Sequence, residues 1–170
     1  MIFNEAFYLN FSAQEAWDFF TDLPQPILTI PGLSQIRQAG PSQFVGLLKA
    51  QLGPLAYHFK GHMEIVQIDH HKHEVVIKGR ASDNELGGHF EAVAHARTFH
   101  AGANRAKIVM EVQLLGLGGL LGKAGNWLLK PKARSVVEQY AQQVSRELGR
   151  RRMLRALEEP MPALEAATGS

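Results

Sequence analysis

No cysteine occurs among the 170 residues. That excludes disulfides, thiolate metal sites and a thiol nucleophile, and it fits a reducing compartment. Long apolar runs are also missing. The greasiest stretch, Leu114–Gly122, is far short of the roughly 18–20 residues that cross a bilayer, and it is broken by glycine. The opening "MIFNEAFYLNFS" has no basic segment followed by an apolar core. The sequence therefore reads without a signal peptide, and the expected location is cytoplasmic, with peripheral contact at the inner face of the membrane. Carboxylates are scarce between residues 123 and 155, where only Glu138 and Glu147 stand against nine Lys and Arg. That segment carries +7, while residues 1–122 carry −2 and residues 156–170 carry −3. A basic segment points to an acidic partner or to a solvated helix face.

What is present is an ordinary globular balance, 45% apolar and 20% charged, over a length that suits one core. The run "EAFYLNF" alternates and predicts a first strand. Ser12 stands three residues before Glu15, the spacing of a capping box, and Ala16, Phe19 and Phe20 follow at helical steps. The segment "LPQPILTIPG" is turn-rich, with room for one more helical turn. Strands are predicted over Ile36–Ala39, Gln43–Leu52, Leu55–Ile68, Val75–Ala81, His89–Ala101 and Ala106–Leu115, with hairpin-length connections that imply an antiparallel meander. After Gly125 the period turns helical, with Val136, Val137, Tyr140, Ala141, Val144 and Leu148 on one face. Pro131 is expected to interrupt this helix or to start its second half. Residues 1–150 read as a single domain, and residues 151–170 as a basic helix end and flexible tail. The expected class is α+β: a curved sheet of about seven strands, two short helices after the first strand, and a long C-terminal helix as its lid.

Alternation then assigns faces. Tyr57, Phe59, Gly61, Met63 and Ile65 point inward from one strand, and Ile108, Met110, Val112 and Leu114 from the last. Phe90, Ala92, Ala94, Ala96 and Thr98 point inward from the strand between turns 82–88 and 102–105. Three successive inward alanines leave space that a close-packed core would fill. Either helix residues such as Trp127 and Tyr140 fill it, or a ligand does. Few ionisable residues fall on the inward faces, which argues for an apolar ligand. The expected lining is Trp17 and Phe20 from the first helix, Phe44 and Leu48, then Tyr57, Phe59 and Met63. It continues with Phe90, Ala92, Ala94 and Ala96, then Met110 and Val112, and closes with Leu117, Leu121 and Leu128. Lys123, Lys130, Lys132, Arg134, Arg150, Arg151 and Arg152 are the expected contacts to a membrane or partner.

Several chemistries fail on spacing. Gly122-Lys123 would need glycine at 117 and Ser or Thr at 124 to make a phosphate loop, and Leu117 and Ala124 stand there. No serine sits in a nucleophile elbow. His70, His71 and His73 share one turn, read as solvated rather than as a metal site, and no metal or cofactor is expected. The basic run lacks interleaved aromatics, so no nucleic-acid partner is expected. A cavity-based cyclase or aromatase is the enzymatic alternative, with Tyr57, Asp22 and His58 as its candidate groups.

The stretches "FSAQEAWDFFTD" with "IPG" at 30–32, "QLGPLAYHFKGHMEI" at 51–65, "ELGGHF" at 85–90 and "GLGGLLGKAG" at 116–125 resemble the START-like (SRPBCC, helix-grip) superfamily. Within it they resemble the CoxG family associated with carbon monoxide dehydrogenase. The resemblance implies a seven-stranded sheet around a long helix, with an apolar cavity between them that takes a quinone, lipid or similar molecule. It further implies a non-enzymatic accessory role, as a carrier or membrane-recruitment protein for a molybdenum hydroxylase. Pro131 and the segment beyond Arg150 depart from the shared pattern.

Overall fold

Each alternating run has one apolar face to bury, and the runs meet that need by pairing into one sheet. The computed structural model describes residues 1–160. Strands β1 (Ile2–Leu9), β2 (Leu33–Gly40), β3 (Gln43–Leu52), β4 (Leu55–Asp69), β5 (Glu74–Asp83), β6 (Gly88–Gly102) and β7 (Arg105–Gly119) are all antiparallel. Their order is β1-β7-β6-β5-β4-β3-β2, so β1 closes one edge beside the last strand. Helices α1 (Ala13–Thr21) and α2 (Gln25–Leu28) follow β1, and α3 (Asn126–Glu158) ends the described chain. The expected fold class holds.

The capping box is present. Ser12 Oγ accepts from the Glu15 N–H at 3.1 Å, and Glu15 Oε1 accepts from the Ser12 N–H at 3.2 Å. Helix α3 is one unbroken element of 33 residues, contrary to the expected interruption at Pro131. Pro131 lies near its start, where the proline costs one backbone hydrogen bond of the first turns. Beyond Arg150 the helix continues to Glu158. The rest of the expected tail, 161–170, lies outside the described residues.

Side chains from α3 join two core clusters. Val144 and Leu148 pack with Phe7, Leu9, Phe19 and Ile108. Leu129 packs with Phe3, Leu52, Tyr57, Phe59 and Leu121. A third cluster, Trp17, Ile27, Phe44, Ile65 and Val75, lies under α1 and α2. The glycine-rich run is partly strand. Gly116, Gly118 and Gly119 extend β7 against β6, and Leu121–Lys123 form a 3-10 turn before α3.

Candidate functional site

The register places small residues side by side. Gly46 opposes Gly61, Gly61 opposes Ala81, and Met63 opposes Gly79, which in turn opposes Ala92. Ile77 opposes Ala94. Glycine and alanine thus hold much of the inward face across β3 to β6, with Met63 and Ile77 beside them, and a cavity of about 190 Å³ stands there. Its apolar wall is completed by Ile27 from α2, Leu33 and Ile36 from β2, Phe44 and Leu48 from β3, and Phe90 from β6. A water molecule needs about 30 Å³, and a dry cavity near 150 Å³ admits a benzene-sized ring. Side chains therefore do not fill this part of the core.

The expected lining divides into three groups. Phe44, Leu48, Met63, Phe90, Ala92 and Ala94 do line the cavity. Tyr57, Phe59, Val112, Leu117, Leu121 and Leu128 lie instead in or against the packed cluster at the start of α3. Gly88 explains that closure: a side chain there would meet Tyr57 at 2.9 Å and Leu121 at 3.1 Å, so its absence lets the two interlock. Tyr57 also stacks on Phe59 at 5.2 Å. Trp17 belongs to the cluster under α1, and Phe20 and Met110 pack against the cluster around Val144. Ala96 faces Val75 and Met110 across its neighbours and is not in the cavity wall. No α3 side chain lines the cavity, so it lies between the sheet and the α2–β2 segment rather than under the long helix. Trp127 does not fill the space either, since it is 80% exposed.

Sequence reasoning missed two inward carboxylates. Glu5 shares the inward parity of Phe3 and Phe7, a signal available from the alternation, and lies opposite Met110. Its Oε1 is 3.7 Å from Arg134 Nε, so that arginine is partly engaged within the chain. Asp83 is buried at the end of β5 and accepts from the N–H groups of His58, Glu85 and Leu86 at 2.8 to 2.9 Å. Donation from the Leu86 N–H and then the His58 N–H holds its carboxyl below the usual carboxylate range. It fixes the loop before β6.

The histidine turn is not simply solvated. Trp17 Nε1 donates to His70 Nδ1 at 3.2 Å, and His73 stacks on the Trp17 indole at 4.8 Å. Among the described residues no group of three His, Asp or Glu could hold a metal. Of the candidate acid–base groups, Tyr57 is packed, and Asp22 accepts from Arg151 Nη2 at 2.6 Å.

Arg150, Arg151 and Arg152 are not a free basic face. Arg150 meets Glu147 at 2.6 Å, Arg151 meets Asp22, and Arg152 Nη2 donates to Glu15 Oε1 at 2.7 Å. Arg151 and Arg152 thus tie the end of α3 to the α1 region, while Arg150 pairs within α3 itself. Arg152 beside it holds the Glu15 carboxyl below its ordinary value. Burial pushes the Tyr140 hydroxyl up, and that hydroxyl donates to the Pro26 carbonyl at 2.9 Å, joining α3 to α2.

Lys123, Lys130 and Lys132 stay near the start of α3. Trp127, Lys130, Pro131 and Arg134 border one surface groove there. No described helix is long and apolar enough to cross a membrane.

Comparison with known proteins completes the site's context. No curated protein matches the sequence. Among solved structures, a conserved protein from Geobacillus kaustophilus is similar with a TM-score of 0.78 and 13% identity, over 88% of this chain and 96% of that one. A START superfamily protein from Mycobacterium smegmatis is similar with a TM-score of 0.63 and 11% identity, over 88% and 97%. An aromatase/cyclase from a Streptomyces species is similar with a TM-score of 0.51 and 15% identity, over 87% and 90%. Identities this low carry the fold alone, and that fold houses enzymes as well as other proteins. The profile of the carbon monoxide dehydrogenase CoxG family matches residues 6–149, and the chain belongs to that family.

Proposed function

We propose that the protein is a non-enzymatic carrier that holds the ring or chain of an apolar molecule, a quinone or lipid, in the cavity over Gly46, Gly61 and Gly79. It serves a molybdenum hydroxylase of the carbon monoxide dehydrogenase type. The observation that carries this reading is the apolar space of about 190 Å³ that no side chain fills. Its wall holds no carboxylate, and only His62 and Arg80 bring ionisable groups to its border. General acid–base work needs a positioned proton donor or acceptor. The volume is below the 300–1,000 Å³ of common small-molecule sites, so a head group or a short segment enters rather than a whole lipid. Met63 and the long Leu side chains supply the give for a larger guest.

The membrane-facing end is the start of α3. Trp127 is 80% exposed, Leu115 and Ile2 are each 56% exposed, and Leu120 is 39% exposed. The β1–β7 register and the packing of Leu129 on Phe3 bring this end of the fold together. Lys123 and Lys130 flank it in sequence. An interfacial tryptophan with leucines and flanking lysines suits the headgroup layer of an anionic bilayer.

Native mass spectrometry of the protein mixed with quinones and phospholipids tests the cargo: one retained apolar ligand is expected. Flotation with phosphatidylglycerol vesicles tests the docking: Trp127→Ser and Lys123→Glu each reduce it, and salt weakens it. Absence of any retained ligand, or flotation indifferent to both substitutions, contradicts the respective half.

A further inference from the structure

The outer face of the sheet carries its own site, directly behind the cavity. Two cross-strand rows lie next to each other there. One runs Val45, His62, Arg80, Glu91, and the other Leu47, Lys60, Ser82, His89. Arg37 extends the first row, opposite Val45. Facing neighbours in such rows are about 5 Å apart and diagonal neighbours about 7–8 Å, so Lys60, His62 and Arg80 converge on one spot. They border a trough of about 670 Å³. Gly46 and Gly61 form part of its floor, and the His89 ring lies over Gly118, which no larger residue could replace without displacing it.

The charges in the trough are idle. Among the described residues, Arg37, Lys60 and Arg80 have no carboxylate within 4.0 Å, whereas Arg150, Arg151, Arg152 and Arg155 of α3 are all paired. Glu91 opposes Arg80 in register and makes no ion pair with it. Three permanent cations thus meet one carboxylate in a concave, hydrogen-bonding surface.

We propose that this trough is the docking surface for an acidic face of a protein partner. A flat bilayer does not fill a concavity. A phosphodiester chain would meet Glu91 and would find only the His62 and His89 rings to stack on, since Phe90 belongs to the inward face. A protein surface supplies carboxylates for Arg37, Lys60 and Arg80, a cation for Glu91, and aliphatic contact for Val45 and Leu47. Gly46, Gly61 and Ala81 border both trough and cavity, so a seated partner lies one sheet thickness from the cargo. Naming that partner the acceptor of the cargo rests on the carrier reading; the docking itself does not.

The test is NMR on the full chain, with a short Glu- and Asp-rich peptide as probe. Its Gln/Asn analogue, pyrophosphate, a DNA duplex and phosphatidylglycerol vesicles serve as competing probes. The acidic peptide is expected to shift the amides of residues 60–62, 80–82 and 89–91, and its neutral analogue is not. Lys60→Glu with Arg80→Glu weakens the peptide by about tenfold or more. The milder Lys60→Gln with Arg80→Gln weakens it less, while Arg37→Glu with Lys60→Glu, at two trough residues outside the cavity wall, also weakens the peptide and leaves apolar ligand uptake intact. Trp127→Ser leaves peptide binding unchanged. Peptide binding that maps to the α3 lysines overturns the proposal. So does a trough that answers only to pyrophosphate, duplex or vesicles, or to no probe.

Discussion

Gly46 on β3 and Gly61 on β4 stand directly opposite each other in the wall of the cavity. Their surroundings differ. A methyl group on Gly61 would have its nearest neighbours at 3.8 Å, while one on Gly46 would meet Ser34 O at 3.2 Å and the Ile36 side chain at 3.3 Å. Gly61→Ala is therefore expected to stabilise the strand by about 0.5–1 kcal/mol. Gly46→Ala is expected to destabilise, because a backbone carbonyl cannot give way. Denaturant unfolding of the two variants should move in opposite directions.

Gly119 offers a sharper contrast. It has φ of +62° and its missing side chain leaves room for the Gly87 carbonyl. Gly116, three residues earlier, has nothing within 4 Å of that position. Gly119→Ala should cost more than about 2 kcal/mol through strain and collision, and Gly116→Ala should cost little. Thermal melts compare the pair.

The Tyr140 hydroxyl anchors α3 to the Pro26 carbonyl at 2.9 Å. Tyr140→Phe keeps the edge contact with Phe7, at 6.5 Å between ring centroids, and removes only the hydrogen bond. A loss of about 0.5–1.5 kcal/mol is expected. Hydrogen exchange should show faster opening at residues 25–30, since α2 loses its tie.

Glu15 caps α1 and accepts from Arg152, which lowers its carboxyl pKa in the fold below the unfolded value near about 4.3. A depressed carboxylate contributes stability that is present above the unfolded pKa and is lost as pH falls through the folded one. Wild-type protein should thus lose stability steadily below about pH 4.3. Glu15→Gln should be less stable at neutral pH and less sensitive to acid below it. The Arg152 side chain is 47% exposed, so the ion pair contributes only about 0.2–1 kcal/mol, with the cap as a further part. Unfolding midpoints across pH measure both.

The fold was legible because alternation and turn residues speak locally. The runs from Gln43 to Leu115 and the Ser12–Glu15 cap needed no distant information. Half of the cavity was legible too, through Ala92 and Ala94. The position of the cavity was not, because it depends on register: only pairing reveals that Gly46, Gly61 and Gly79 stand together. The aromatic residues Tyr57 and Phe59 misled for the same reason, since Gly88 and Leu121 close around them from far along the chain. Counting charge along α3 likewise hid that Arg150, Arg151 and Arg152 reach Glu147, Asp22 and Glu15.

The proposed carrier holds its apolar guest in the space beside Ala94. Ala94→Leu fills that space from within while adding only apolar bulk, and retained folding is checked by its melt. Titration of a short-tailed quinone into wild type and variant, read by native mass spectrometry, tests the claim most directly. One bound quinone in the wild type and none in the variant is the predicted result. Equal uptake by both, or none by either across the quinones and lipids offered, would contradict it.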